Sequence, residues 1–353
     1  MSSLASPCLG KRACVHALPL GQWPAADRVA WQSACRPGVR LSKGGAASHL
    51  KPIIQRDLAR RYSYFLNFLQ ERGLLDPNAD VAAQVRPDIV EPYVIHLQGG
   101  VGSVTVHGSI YKLRRTARIL APTRDFGWLA EIEQDLAILA TPRSKASRLV
   151  LSNIIVEAGL TLCVEAEQAV DRGAVRRAMQ FRDGLMLSML ALHPVRLKNF
   201  SSLELGCNFV DRDGAWWIAL SARETKEGRV DERYVDPLLT LTLDQYLTSH
   251  RPALLRGAKS EMLWIGLYGE PMTYSAVSTA ITHRSLETLG VPLSPHLFRT
   301  AGASHCATYA GQLPDLASAL LHHRDPRITQ SHYNRATAIS ANNALAGVIK
   351  GYL

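Results

Sequence analysis

The hydrophobic pattern of this 353-residue chain follows the helical period almost throughout and switches to period two once, between Phe209 and Val235. Phe209-Val210 and Ala215 to Ser221 flank Asp211-Arg212-Asp213-Gly214, an Asp-Gly turn of the kind that closes a tight hairpin. Glu224 to Gly228 supplies a second turn, and Val230 to Val235 reads as a third strand. Around this segment lie helical patterns at Leu149 to Ala158, Ala174 to Leu192, Leu243 to His250, Ser275 to Leu289, and from Pro295 onward. The second half is therefore mixed α/β, mostly helical, with one small antiparallel sheet.

The first half is all helix. Leu50 to Leu75 places Ile54, Leu58, Tyr62, Phe65, Leu66 and Leu69 at three- and four-residue steps and stops at Gly73. Pro87 to Gln98, Val104 to Leu120 and Phe126 to Ala140 add three more helices, enough for a compact bundle. A short helix is expected over Pro24 to Ala34, closed by Pro37-Gly38, with residues 1–22 irregular and Ser42 to Ser48 a small-residue linker. Thr141 to Arg148 holds a proline, small residues and three cations with no apolar face, the composition of an interdomain linker. The expected organisation is an N-terminal extension over 1–44, a helical domain over 45–140, a linker over 141–148 and a second domain over 149–353.

Charge distinguishes the halves. Residues 1–150 carry 20 basic and 11 acidic side chains, a net of +9, whereas residues 151–353 carry 20 and 19, a net of +1. That asymmetry suits a polyanion held mainly by the first half. Candidate phosphate contacts are Lys112, Arg114, Arg115 and Arg118 on one helix and Arg143, Lys145 and Arg148 in the linker. A solvated helix face is the competing reading of the same cations. The longest apolar run, Leu185 to Leu192, is far short of the roughly 20 residues a spanning helix needs. Residues 1–40 contain no apolar stretch before a small-residue cleavage site, and none of the six cysteines forms a CxxC pair. The expectation is a reducing, cytoplasmic setting with no membrane contact. His305, Cys306, His322, His323 and His332 show no zinc-ligand spacing, so no metal is expected.

The clearest local motif is Ser294-Pro295-His296-Leu297-Phe298-Arg299, in which Ser and Pro open a helix and set His296 and Arg299 on one face of its first turn. Downstream come Leu321-His322-His323-Arg324-Asp325-Pro326-Arg327 and His332-Tyr333-Asn334-Arg335. Upstream, Arg196 closes a hydrophobic helix in His193-Pro194-Val195-Arg196, and Lys226 lies in a strand-to-strand turn. Singly, each residue reads as structural. In this order and spacing the set resembles the catalytic domain of the tyrosine recombinases, the phage-integrase family of site-specific recombinases, over roughly residues 45–350. Asn199 stands where the family usually carries an acid, and Leu321-His322-His323 replaces its Leu-Gly-His. His323 is taken as the matching histidine because Arg324-Asp325-Pro326-Arg327 follows it.

The resemblance implies a helical core-binding domain and a catalytic domain that close around duplex DNA as a clamp. It assigns Arg196, Lys226, His296, Arg299 and His323 to activation and Tyr333 to nucleophilic attack, giving a covalent 3′-phosphotyrosine. The chemistry accounts for these residue types. Attack on a phosphodiester concentrates charge on the non-bridging oxygens, which two arginines and a histidine can stabilise without a metal or other cofactor. A phenol with a pKa of about 10 needs a base, for which His296 is the candidate, and Lys226 can protonate the leaving 5′ oxygen. The rivals are a type IB topoisomerase-like enzyme and a recombinase-like DNA-binding protein without cleavage. After Tyr333, Ala341, Ala344, Leu345, Val348 and Ile349 form an apolar stripe at helical spacing. In the family such a helix commonly packs into a neighbour, which implies a homo-tetramer on paired sites.

Overall fold

The computed structural model describes residues 16–40, 43–142, 148–226 and 228–309, and the chain divides into two compact units, residues 1–144 and 145–353. The first is all helical: α1 (Ala25–Cys35), α2 (Pro52–Glu71), α3 (Pro87–Gly100), α4 (Ser103–Leu120) and α5 (Gly127–Ile138). Helix α4 touches each of the other four. Its buried stripe of Val106, Ile110, Leu113 and Ala117 recurs every three or four residues and meets Tyr62, Phe65, Leu66 and Leu69 of α2.

Residues of the N-terminal segment between Leu18 and Cys35 contribute to this core. Leu18, Trp23 and Trp31 are buried, and the Trp23 and Tyr62 rings meet edge to face with centroids 4.9 Å apart. Asp27 of α1 is buried too, and its carboxylate accepts hydrogen bonds from the Tyr62 hydroxyl and the Ala82 N–H, each at 2.7 Å. The linear sequence does not show that Asp27 is buried, because its partners lie 35 and 55 residues away.

The second unit contains α6 (Ser152–Gln168), α7 (Ala174–Leu192), α8 (Leu197–Ser201), β1 (Phe209–Arg212), β2 (Ala215–Leu220), β3 (Asp231–Tyr234), α9 (Thr240–Gln245), α10 (Arg251–Leu255), α11 (Tyr274–Leu289) and α12 (Pro295–Tyr309). A π turn over Tyr246–His250 joins α9 to α10. Helix α7 is buried on every face from Gln180 to Ala191, because α6, α10, α11, α12 and the π turn surround it. The apolar run that is too short for a membrane is thus the centre of a core. Helices α6 and α7 cross at two glycines: a Cβ placed on Gly184 would lie 2.5 Å from the Gly159 carbonyl oxygen. No helix among the described residues is long and apolar enough to cross a membrane.

The sheet has the order β1-β2-β3, antiparallel throughout, with Phe209 opposite Ile218 and Trp217 opposite Tyr234. Phe209 and Ile218 face the core, and Asp213 (φ 56°) and Gly214 (φ 78°) close the first hairpin with the two positive φ angles that Asp-Gly suits.

Candidate active site

Helix α7 ends at Leu192, four residues before Arg196. Pro194 lacks an N–H and disfavours helical angles at His193, which adopts φ −120° and ψ 77°. The chain then restarts as α8 with Arg196 as its N-cap residue. This corrects the expectation that Arg196 closes the hydrophobic helix. At that position the helix dipole does not favour a cation, which is stabilised at a helix C-terminus and opposed at an N-terminus. Arg196 is half-buried, and its carbonyl accepts the Asn199 and Phe200 N–H groups at 2.8 and 3.0 Å.

Helix α12 begins at Pro295, as the Ser-Pro signal indicates. Leu297, Phe298 and Ala301 are buried, which leaves His296 exposed and draws Arg299 inward to 9% exposure. Arg299 Nη1 donates to the Pro194 carbonyl at 2.6 Å. That bond uses one of five guanidinium N–H groups, fixes the plane of the side chain, and places the α12 arginine against the turn that presents Arg196.

His193, in the same turn, carries no sequence signal. Its Nε2 accepts the Asp236 N–H at 3.2 Å, just beyond β3. Burial, and then the charge of Arg233, push its pKa down to about 4, while Asp236 acts in the opposite direction. The imidazole is neutral and ties the end of α7 to the end of the sheet.

Lys226 is exposed in the turn between β2 and β3. Thr225 closes that turn: its Oγ1 accepts from the Arg229 N–H at 3.0 Å and donates to the Arg229 carbonyl at 2.6 Å. Glu224 accepts from the Ser221 N–H at 2.8 Å, the Ser221 hydroxyl at 2.7 Å and Asn208 Nδ2 at 2.8 Å. The hydrogen bonds from Asn208 and Ser221 hold the Glu224 carboxyl below the ordinary range. Neither Glu224 nor Asn208 carries a sequence signal, because they meet across 16 residues through the turn's own geometry. His323 and Tyr333, with His322 and His332, lie outside the described residues, as do Arg143 and Lys145.

The cations of α4 fall into two kinds. Lys112 pairs with Asp57 at 2.6 Å and Arg114 with Glu133 at 2.5 Å. Burial pushes the Asp57 carboxyl up, and the hydrogen bond and charge of Lys112, with Arg60 and Arg61, outweigh it and hold it below the usual range. Arg118 is exposed and Arg115 half-buried, and neither makes an ion pair among the described residues. Arg148 is exposed at the start of the second unit. No group of three or more potential metal ligands occurs among the described residues, His305 and Cys306 included.

No family model matches the chain. It is 30% identical over 241 residues to the tyrosine recombinase XerD of Pseudomonas aeruginosa, covering 65% of this chain and 73% of that protein. To the tyrosine recombinase XerD of Proteus mirabilis it is 26% identical over 238 residues, covering 64% and 70%. Two crystal structures of the XerH site-specific recombinase bound to difH substrates share its fold. The pre-cleavage complex has a TM-score of 0.52 at 14% identity, covering 92% of this chain and 99% of that one. The post-cleavage complex has a TM-score of 0.55 at 12% identity, covering 93% and 99%. A mostly helical chain with one small three-stranded antiparallel sheet is the fold these recombinases share. The chain belongs to the tyrosine recombinases.

Proposed function

We propose that this protein is a site-specific DNA recombinase that cuts and rejoins duplex DNA through a 3′-phosphotyrosine intermediate. The observation that carries the reading furthest is the Arg299–Pro194 hydrogen bond, which sets the HxxR helix against the turn bearing Arg196 in a chain of this family. The Tyr333 phenolic oxygen forms the new bond to phosphorus as the bond from phosphorus to the 5′ oxygen breaks. His296 accepts the phenol proton, and Lys226 gives a proton to the leaving oxygen. Arg196, Arg299 and His323 stabilise the charge that gathers on the non-bridging oxygens. The phosphotyrosine conserves the bond, so attack by a 5′-hydroxyl reverses the step and joins a new partner.

Duplex DNA is the substrate, and the basic excess of the first half supplies the sequence-independent part of its affinity. Assembly is proposed as a homo-tetramer on two paired sites, with the apolar stripe over Ala341 to Ile349 packing between protomers.

Incubating the protein with its flanking or host DNA, trapping covalent adducts in SDS and sequencing the trapped ends tests the reading and maps the site. Tyr333→Phe is expected to bind that DNA normally and form no adduct, because only the phenolic oxygen is lost. An adduct from the Phe variant overturns the assignment of the nucleophile.

A further inference from the structure

Lys226 is exposed on a turn, and an exposed turn does not by itself hold a long side chain at a defined place. A proton donor must nevertheless meet the leaving oxygen within hydrogen-bond reach, about 2.6–3.2 Å. The turn's attachment to the rest of the domain therefore matters as much as the lysine.

That attachment is specific. Asn208 is 5% exposed, just before β1. Its Oδ1 accepts the Glu204 N–H at 2.8 Å, and its Nδ2 donates both to the Ser202 carbonyl at 3.2 Å and to Glu224 at 2.8 Å. Ser202 is the C-cap residue of α8, whose N-cap residue is Arg196. Leu203 and Leu205 are held in turn by backbone bonds to Leu263 and Glu261. The hydrogen-bonded path runs from the arginine through one rigid helical turn and Asn208 to Glu224, two residues from Lys226. Glu224 receives the Asn208 bond and also accepts from both the Ser221 N–H and the Ser221 hydroxyl.

We propose that Glu224 is the positioning residue for Lys226, its carboxylate fastening the β2–β3 turn through Asn208 to the segment that carries Arg196. The inference rests on the reading of Lys226 as the proton donor to the leaving oxygen. Glu224 touches no reacting atom. It acts by keeping the donor in register with the arginine that holds the phosphate, and a carboxylate taking three hydrogen bonds, stronger than neutral ones, is suited to that.

The test uses the full chain and a short duplex bearing the cleavage site mapped by covalent trapping, in two forms. One has ordinary oxygens; the other has sulfur at the bridging 5′ position of the scissile phosphate, which leaves as a thiolate without needing a proton. On the oxygen duplex, single-turnover cleavage is expected to fall about tenfold for Glu224→Ala and about 100-fold or more for Lys226→Ala. On the sulfur duplex both variants return to near the rate of the unaltered protein. Ser221→Ala, which removes one donor and leaves the carboxylate, is expected to fall two- to threefold by the same logic, roughly the loss of one modest hydrogen bond; it carries the test if Glu224→Ala does not fold. Glu224→Ala slow on both duplexes, or at full rate on the oxygen duplex, overturns the inference alone. Lys226→Ala slow on both duplexes overturns the proton-donor reading and the inference with it.

Discussion

Burial fixes the protonation state of His193, the residue that joins the end of α7 to the end of the sheet. Its folded pKa, pushed down to about 4, lies below the ordinary value of 6.5. Between those values the unfolded chain binds a proton that the folded chain refuses, so this residue's contribution to stability is complete above pH 6.5 and declines as the pH falls toward 4. A shift of that size corresponds to roughly 3 kcal/mol. His193→Gln keeps an acceptor for the Asp236 N–H and removes the titration. Urea unfolding measured across this range is expected to lose much of its acid dependence in the variant; an unchanged profile would place the acid sensitivity elsewhere.

At the scale of elements, the second unit depends on how closely α6 and α7 approach. Gly184→Ala puts a methyl group 2.5 Å from the Gly159 carbonyl oxygen and close to Leu162, atoms that cannot rotate away. The helices must separate along an interface that organises the whole core, and overpacking of this kind costs about 1–3 kcal/mol. Thermal unfolding is expected to show that loss for Gly184→Ala and little change for Gly173→Ala, where the added Cβ meets nothing.

Helix α4 invites a different separation, because its cations divide between internal pairing and exposure. Replacing Arg115 and Arg118 by alanine is expected to weaken DNA binding at all sequences. The slope of log affinity against log salt should become shallower by about one for every phosphate that is no longer neutralised. Arg114→Ala acts first on the stability of the helical unit, because it leaves Glu133 without its 2.5 Å partner. Equal salt slopes for Arg115→Ala/Arg118→Ala and the unaltered protein would favour a merely solvated face.

For the whole molecule, recombination requires two DNA sites to be held together, and under the proposed assembly that task falls to the apolar stripe after Tyr333. Deleting residues 338–353 is expected to spare binding to a single site and abolish pairing of sites and strand exchange. Mass photometry on the mapped target decides it: intact tetramers with full recombination from the shortened chain would favour a monomeric, topoisomerase-like enzyme.

The sequence by itself determined the helical periods, the Asp-Gly hairpin, the start of α12 and the family, because each depends on local chemistry or on the linear order of arginine, lysine, HxxR, histidine and tyrosine. It did not place Arg196 at the head of α8, since Pro194 breaks α7 and the restart as a five-residue helix depends on what packs beneath it. Nor did it reveal that Asp27 is buried beside the first core, that His193 is neutral, or that Glu224 bonds Asn208 across the lysine turn. Those facts depend on partners 16 to 55 residues apart. Only the tertiary structure decides them, because burial and hydrogen bonding are properties of what surrounds a side chain, and the linear sequence specifies only its immediate neighbours.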